Sequence, residues 1–153
     1  MIQSILKFLD KIWPAEIVYA HCDIPCGIYT THRAMVAAQT VEKMVSKLLE
    51  LTPPGEGTAK EEWLAYENSA VRMVMNKEEA ARECKSELLI LWTDYFKPEH
   101  LKTFPNLHKI FWKAAKLCSE NKQHADLPAA QELRKAVAEI DQMYQAAEAM
   151  KKK

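Results

Sequence analysis

The sequence predicts an all-α protein, an up-and-down four-helix bundle with a protruding loop near its N-terminus. Only three of the 153 residues are glycine, and 48% are hydrophobic. Apolar residues recur at helical spacing in four successive segments, which proline, glycine or polar stretches separate. A chain of this length is expected to form one domain that needs no metal or disulfide merely to fold.

The first predicted helix is HRAMVAAQTVEKMVSKLLEL, with Thr30 or Thr31 as its N-cap and TPPGEG as its end. Its apolar stripe comprises Met35, Val41, Met44, Val45, Leu48 and Leu49. Thr58 followed by AKEEW predicts the N-cap of a long second helix that reaches SELLILWTDYF. Lys97 and Pro98 close that helix.

The third predicted helix covers PNLHKIFWKAAKLCSE, with Pro105 in its first turn. Its recurring apolar positions are Leu107, Ile110, Phe111, Ala114 and Leu117. NKQHAD then interrupts the pattern, and the fourth helix extends from about Leu127 to Met150 with Asp126 as its cap. It continues through Leu133, Val137, Ile140 and Tyr144.

The charge balance argues against nucleic-acid binding, because 21 basic and 21 acidic residues cancel. Every apolar run is broken by charge, so no transmembrane segment is predicted. In MIQSILKFLDKIW the apolar residues recur at helical spacing, but Lys7, Asp10 and Lys11 interrupt them. Such a segment does not match a secretory signal. A cytoplasmic location is therefore expected.

Residues 21–29, HCDIPCGIY, belong to none of the four helices and are here called the hook. Pro25 and Gly27 favour a turn that protrudes from the start of the bundle. Cys22 and Cys26 lie close enough to hold one ion, and thiolates suit nickel, copper, zinc or an iron-sulfur cluster. A structural zinc site would need a second ligand pair, which is not evident at Cys84 or Cys118. A c-type haem would need a histidine directly after the second cysteine.

Cleavage between Ala20 and His21 would change this donor set. The new chain would offer the α-amine and imidazole of His21, the amide and thiolate of Cys22 and the thiolate of Cys26. Nickel(II) favours such a square plane of nitrogen and sulfur, with the imidazole as an axial ligand. In the uncut precursor the His21 nitrogen is an ordinary amide, so cleavage would act as a switch for a one-electron redox centre.

HCDIPCGIY resembles the N-terminal nickel hook of nickel-containing superoxide dismutases, whose mature chains begin at that histidine. LWTDYFKPEHL and FPNLH resemble the segment between the second and third helices of this family. The resemblance covers the chain from Ala20 to its C-terminus. It implies a removed leader at residues 1–20, the hook at 21–29 and the bundle at 30–153.

By this resemblance, His21 supplies the amine and the axial imidazole, Cys22 its amide and thiolate, and Cys26 the second thiolate. One nickel ion per subunit, superoxide as substrate, a leader-processing protease and a homohexamer are implied with them. The implied reaction converts superoxide to O2 and hydrogen peroxide through a Ni(II)/Ni(III) cycle.

The resemblance also implies roles around the metal. Asp23 and Gly27 would shape the internal hydrogen bonds of the hook, and Pro25 would turn it. Tyr29 would lie above the vacant face of the nickel. The hook would pack against Asp94, Tyr95 and Lys97. Tyr29 and Tyr95 are then expected to control access, and Lys97 to attract an anion.

The sequence departs from the family in three places. Thr30-Thr31 replaces the common Asp-Pro, which is expected to change only the helix cap. The glutamate and arginine that support the axial imidazole in well-described members correspond to Ala37 and Ala80. Substitute partners for His21 would be His32, Gln39 or Arg82, and the sequence does not choose among them.

Two other functions remain open at this point. A noncatalytic nickel or copper chaperone or storage protein would need no tyrosines near the metal. A structural helical module would pair Cys22 with Cys26 in a disulfide. Several further residues are expected not to be site residues. Core positions are expected for Cys84, Cys118, Met35, Met44, Met73 and Met75, a core or interface position for Trp92, and surface or helix-end positions for His100, His108 and His124.

Overall fold

The computed structural model describes residues 27–151, which form four α-helices and contain no β-strand. Helix α1 spans His32–Glu50, α2 spans Lys60–Ile90, α3 spans Leu107–Gln123 and α4 spans Leu127–Lys151. The predicted all-α class is thus confirmed for this part of the chain. None of these helices is both long enough and apolar enough to cross a membrane.

The helices form a ring in which α1 and α3 each contact α2 and α4. Contacts between neighbouring helices show the directions in which the helices run. Arg33 at the start of α1 pairs with Glu87 near the end of α2 at 3.5 Å. The indole nitrogen of Trp92, just after α2, donates to Nδ1 of His108 at the start of α3 at 2.8 Å. Successive helices are therefore antiparallel, as predicted for an up-and-down bundle.

Helix α1 approaches its neighbours mainly through small residues. Its buried positions are Ala34, Ala37, Ala38, Val41 and Val45. The predicted stripe is correct for Val41 and Val45, but Leu49 is 59% exposed. A core role is also wrong for Met75, which is 65% exposed. Alanines let the helices pack closely, so the larger apolar residues of the predicted stripe move to the margin of the core.

Helix α2 has 31 residues and its antiparallel neighbour α1 has 19. At 1.5 Å per residue, α2 is about 18 Å longer. All of its buried residues lie between Lys77 and Leu88. Its first half therefore exposes large apolar side chains, namely Trp63, Leu64, Val71, Val74 and Met75.

Two predicted helix starts differ from the structure. Thr58 does not cap α2, because its hydroxyl donates to the carbonyl of Gly55 at 2.8 Å and the helix begins after Ala59. Pro105 precedes α3 rather than lying in its first turn. The predicted cap of α4 is confirmed, since the Ala129 N–H donates to Oδ1 of Asp126 at 3.2 Å.

Candidate functional site

The predicted ligands His21, Cys22 and Cys26 lie outside the described residues, as do Asp23, Pro25 and residues 1–20. The first described residue is Gly27, directly after Cys26. Gly27 has a φ of 82°, in the left-handed region that favours glycine. A Cβ at this position would meet no atom within 4 Å, so the requirement for glycine arises from the backbone conformation rather than from space.

The structure brings the two predicted tyrosines together. The ring centres of Tyr29 and Tyr95 are 5.6 Å apart, and the rings meet edge to face at 64°. Tyr29 is half-buried, and Tyr95 is only 4% exposed. Such edge-to-face pairs are favourable beyond the area that they bury. Tyr29, three residues after Cys26, therefore packs on the bundle at Tyr95.

A π-helical turn positions Tyr95. After α2, residues Leu91–Tyr95 form this turn, which ends with the Phe96 N–H donating to the carbonyl of Leu91 at 3.0 Å. A single π turn inside a helical segment often occurs at a functional site, because the extra residue changes the direction of the following side chains. Asp94 is half-buried in the same turn.

A short 3-10 helix, Pro98–Lys102, follows the π turn. The Lys97 N–H donates to Nδ1 of His100 at 2.9 Å, while the Lys97 side chain is exposed. The His100 ring lies parallel to the Tyr95 ring at 6.1 Å. His100 thus has the helix-end role expected from the sequence, and it also supports one face of Tyr95.

Helix α4 supplies contacts that the sequence analysis missed. The Tyr144 hydroxyl donates to the carbonyl of Tyr29 at 2.6 Å, and the Tyr95 hydroxyl donates to Oε1 of Glu148 at 2.6 Å. The Thr31 hydroxyl donates to Oδ1 of Asp141. Asp141, Tyr144 and Glu148 follow one another at spacings of three and four, so they share one face of the helix. This spacing is visible in the sequence and predicts the shared face, but not the groups that the face contacts.

The same contacts affect the acidity of the two phenols. Burial raises the pKa of Tyr95 above its usual value, and the hydrogen bond to Glu148 raises it further. Burial also raises the pKa of Tyr144, with added repulsion from Glu148 and Asp141. Both phenols therefore keep their protons at neutral pH and can act as hydrogen-bond donors.

The positions expected to support the His21 imidazole carry no polar side chain. Ala37 and Ala80 are buried, at 3% and 5% exposure, and both belong to the bundle core. The proposed substitutes His32, Gln39 and Arg82 are exposed. His21 itself lies outside the described residues, so the structure does not choose among these three.

Cys84, Cys118 and Trp92 are found in the structural positions expected of them. Cys84 and Cys118 are fully buried, and the hydrogen bond between their thiols, with burial, raises the pKa of Cys84. Trp92 is half-buried and stacks on Phe111 with ring centres 5.8 Å apart. Within residues 27–151, no three side chains of His, Cys, Asp or Glu are grouped so that they could hold a metal ion.

Comparison with known proteins agrees with this geometry. A sequence model described as nickel-containing superoxide dismutase matches residues 16–148. The superoxide dismutase [Ni] of Streptomyces seoulensis is 32% identical over 137 residues, which cover 89% of this chain and 95% of that protein. The superoxide dismutase [Ni] of Streptomyces coelicolor is 30% identical over 131 residues, covering 86% of this chain and 90% of that protein.

Solved structures give the same result. A native nickel superoxide dismutase structure superposes with a TM-score of 0.70 at 28% identity, covering 84% of this chain and 99% of that chain. A second structure, a nickel-containing superoxide dismutase with nickel ligation of the oxidised state, gives 0.68 at 29% identity with the same coverage. The matched region includes the HCDIPC sequence, the tyrosine pair and all but the end of the last helix. This chain belongs to the nickel-containing superoxide dismutase family.

Proposed function

We propose that this protein disproportionates superoxide to O2 and hydrogen peroxide at a nickel ion held by His21, Cys22 and Cys26. One observation carries the proposal. The HCDIPC donor set ends one residue before Gly27 and three residues before Tyr29, whose ring packs on Tyr95 at 5.6 Å. An ion held by these donors would therefore lie within a few residues of a pair of phenols.

The donor set fits nickel. The thiolates of Cys22 and Cys26, the amine and imidazole of His21 and the backbone amide of Cys22 would hold the ion, and nitrogen and sulfur donors of this kind suit nickel(II). Bound nickel supplies the one-electron redox chemistry that dismutation requires. Zinc, which has no redox chemistry, would not support the reaction.

The amine donor requires that the chain be cut between Ala20 and His21. We therefore propose that residues 1–20 are a leader, which a dedicated protease removes. The solved relatives support this, because their chains are covered to 99% while they cover only 84% of this chain. The uncovered share, about a sixth of the present chain, is large enough to include residues 1–20. We further propose that maturation and catalysis take place in the cytoplasm, since Lys7, Asp10 and Lys11 interrupt the apolar face of the leader.

The residues around the metal would hold the hook in place, shield the site and attract the substrate. The rings of Tyr29 and Tyr95 close one side of the point where the hook meets the bundle, and water held at these side chains would deliver protons. The Tyr144 hydroxyl fixes the carbonyl of Tyr29, which limits movement of the hook. The exposed ammonium of Lys97, two residues after Tyr95, would attract the superoxide anion. Asp94, Asp23, Pro25 and Gly27 would shape the hook and the surface that it packs against.

We propose a homohexamer for the assembled enzyme. The resemblance implies this state, and the exposed apolar side chains of α2 give it physical support. Val71 is 55% exposed, Leu64 is 53% exposed and Met75 is 65% exposed, all within the first half of α2. Their spacings of seven and four residues place these side chains on one face of α2, and an apolar face of this kind favours association with another copy.

The decisive experiment is coexpression of the full chain with a matching leader protease and nickel. Intact mass, metal content and superoxide dismutation are then measured on one sample. We expect a chain that begins at His21, about one nickel per subunit and activity. The proposed centre needs the new amine of His21 to bind nickel, and it needs nickel for activity. Cys22→Ser should lose both nickel and activity, whereas Cys84→Ala, which removes a buried core thiol, should retain both.

The noncatalytic alternative predicts a different result from the same sample. A processed, nickel-loaded protein that does not dismutate superoxide would favour a nickel or copper chaperone or storage protein. The tyrosine pair argues against that alternative, because an exchangeable storage site has no use for buried phenols beside the metal.

A further inference from the structure

The carboxylate of Glu148 connects a buried phenol to the surface of the protein. Its Oε1 accepts the Tyr95 hydroxyl at 2.6 Å and also lies 2.5 Å from the ammonium nitrogen of Lys151. That nitrogen lies 4.4 Å from the centre of the Tyr95 ring. The Glu148 side chain is 34% exposed, whereas Tyr95 is 4% exposed. The last turn of α4 thus holds Tyr95 by both its hydroxyl and its ring face.

These contacts fix the direction of the Tyr95 proton. A phenol has a single proton, and here that proton is donated toward α4 in a charge-assisted hydrogen bond. The ring is then held from three further sides, by Tyr29 at 5.6 Å, Tyr144 at 4.7 Å and His100 at 6.1 Å. Rotation of the Tyr95 side chain would break the bond to Glu148 and the contact with Tyr29 together.

We propose that Glu148 is a positioning residue of the metal centre, which holds the Tyr95 hydroxyl toward α4 and thereby sets the place of Tyr29 at the base of the hook. This inference rests on the proposed function, since it is that function which places both tyrosines beside the metal. Lys151 pairs with the carboxylate, which offsets part of the charge that Glu148 would otherwise present to an anionic substrate. Glu148 acts through Tyr95 and does not itself touch the reacting atoms.

A double-mutant cycle tests the inference. Glu148→Ala, Tyr95→Phe and the double variant are compared with the processed, nickel-loaded protein for rate of dismutation and rate of nickel loss. Glu148→Ala is expected to slow dismutation about tenfold, the size of one charge-assisted hydrogen bond. In the Tyr95→Phe background the same substitution should change the rate less than about twofold. Equal effects in both backgrounds, or no effect in either, would overturn the inference.

A second readout does not depend on activity. Ultraviolet absorbance measures the pH at which the tyrosines ionise. In Glu148→Ala, one tyrosine should ionise at a pH closer to that of an exposed tyrosine. The change should be smaller in Glu148→Gln, which keeps an acceptor oxygen. Glu139→Ala, an exposed glutamate on the same helix, is the matched control and should behave as the wild type. If the loaded wild type does not dismutate superoxide, the proposed function fails. The ionisation and nickel-loss data then decide the positioning role by themselves, and an unshifted tyrosine would refute it.

Discussion

The Tyr144 hydroxyl donates a 2.6 Å hydrogen bond to the backbone carbonyl of Tyr29. This bond joins the last helix to the last residue of the hook. Because Tyr29 lies three residues after Cys26, helix α4 helps to fix the chain next to the proposed ligands. The hook is therefore supported by the bundle through α4 as well as through the π turn that carries Tyr95.

Replacing this donor should loosen the base of the hook. We expect Tyr144→Phe to lower the free energy of unfolding by about 1 kcal/mol, the net value of one neutral hydrogen bond. Nickel should also dissociate faster, because the chain leading to the ligands gains freedom. Denaturant unfolding and the rate of nickel transfer to a chelator measure the two effects. A variant that loses stability but releases nickel at the wild-type rate would show that the bond has no role at the site.

The alkaline limit of stability should depend on the buried phenols. The pKa of Tyr95 is raised above the usual value of about 10. Between that value and the folded-state pKa, the unfolded chain has lost a proton that the folded chain retains, so stability falls as pH rises. The stabilisation is complete below about pH 10. Urea unfolding at several alkaline pH values should show a shallower decline in Tyr95→Phe, and an unchanged slope would contradict this assignment.

The fold was largely predictable from the sequence, and the support of the site was not. Four helices follow from apolar periodicity. The local signal at Asp126 correctly identified the start of α4, and Lys97-Pro98 correctly identified the end of the helical segment formed by α2 and the π turn. Thr58 was misassigned because its hydroxyl bonds to the preceding turn at Gly55, an equally local alternative for a threonine.

The site itself divides in the same way. Tyr29 and Tyr95 were identified by resemblance, and the structure brings them together. Glu148 and Tyr144 were not identified, because their partners lie 53 and 115 positions away along the chain. Helical periodicity reports which face of a helix is buried, but it does not report which distant hydroxyl or carbonyl that face will meet.

A buried lysine should contribute strongly to the stability of the bundle. Lys77 is 3% exposed, and its ammonium donates to the carbonyls of Asn121, Lys122 and His124 at 2.6, 3.1 and 2.9 Å. These carbonyls lie at the end of α3, where a helix leaves its last acceptors unpaired. Lys77→Met should therefore cost about 2 to 4 kcal/mol, because it leaves buried acceptors without their donor. Arg72→Met, at an exposed position of the same helix, should cost far less in the same denaturant titration. Equal losses would mean that Lys77 acts only as a helix residue.

The proposed assembly depends on the exposed half of α2. A charge placed in that surface would have to be desolvated when copies associate, so Val71→Glu should weaken the assembly. Val71 is 55% exposed and lies outside the core of the bundle, so the folded subunit should survive the substitution. Sedimentation should then show a lower mass with unchanged helical content. Asn68→Glu adds the same charge at another exposed position of α2 and serves as the control, because it replaces a polar residue. If both variants sediment like the wild type, the copies associate through another surface. If both dissociate equally, the effect arises from charge alone and not from the loss of apolar contact at Val71.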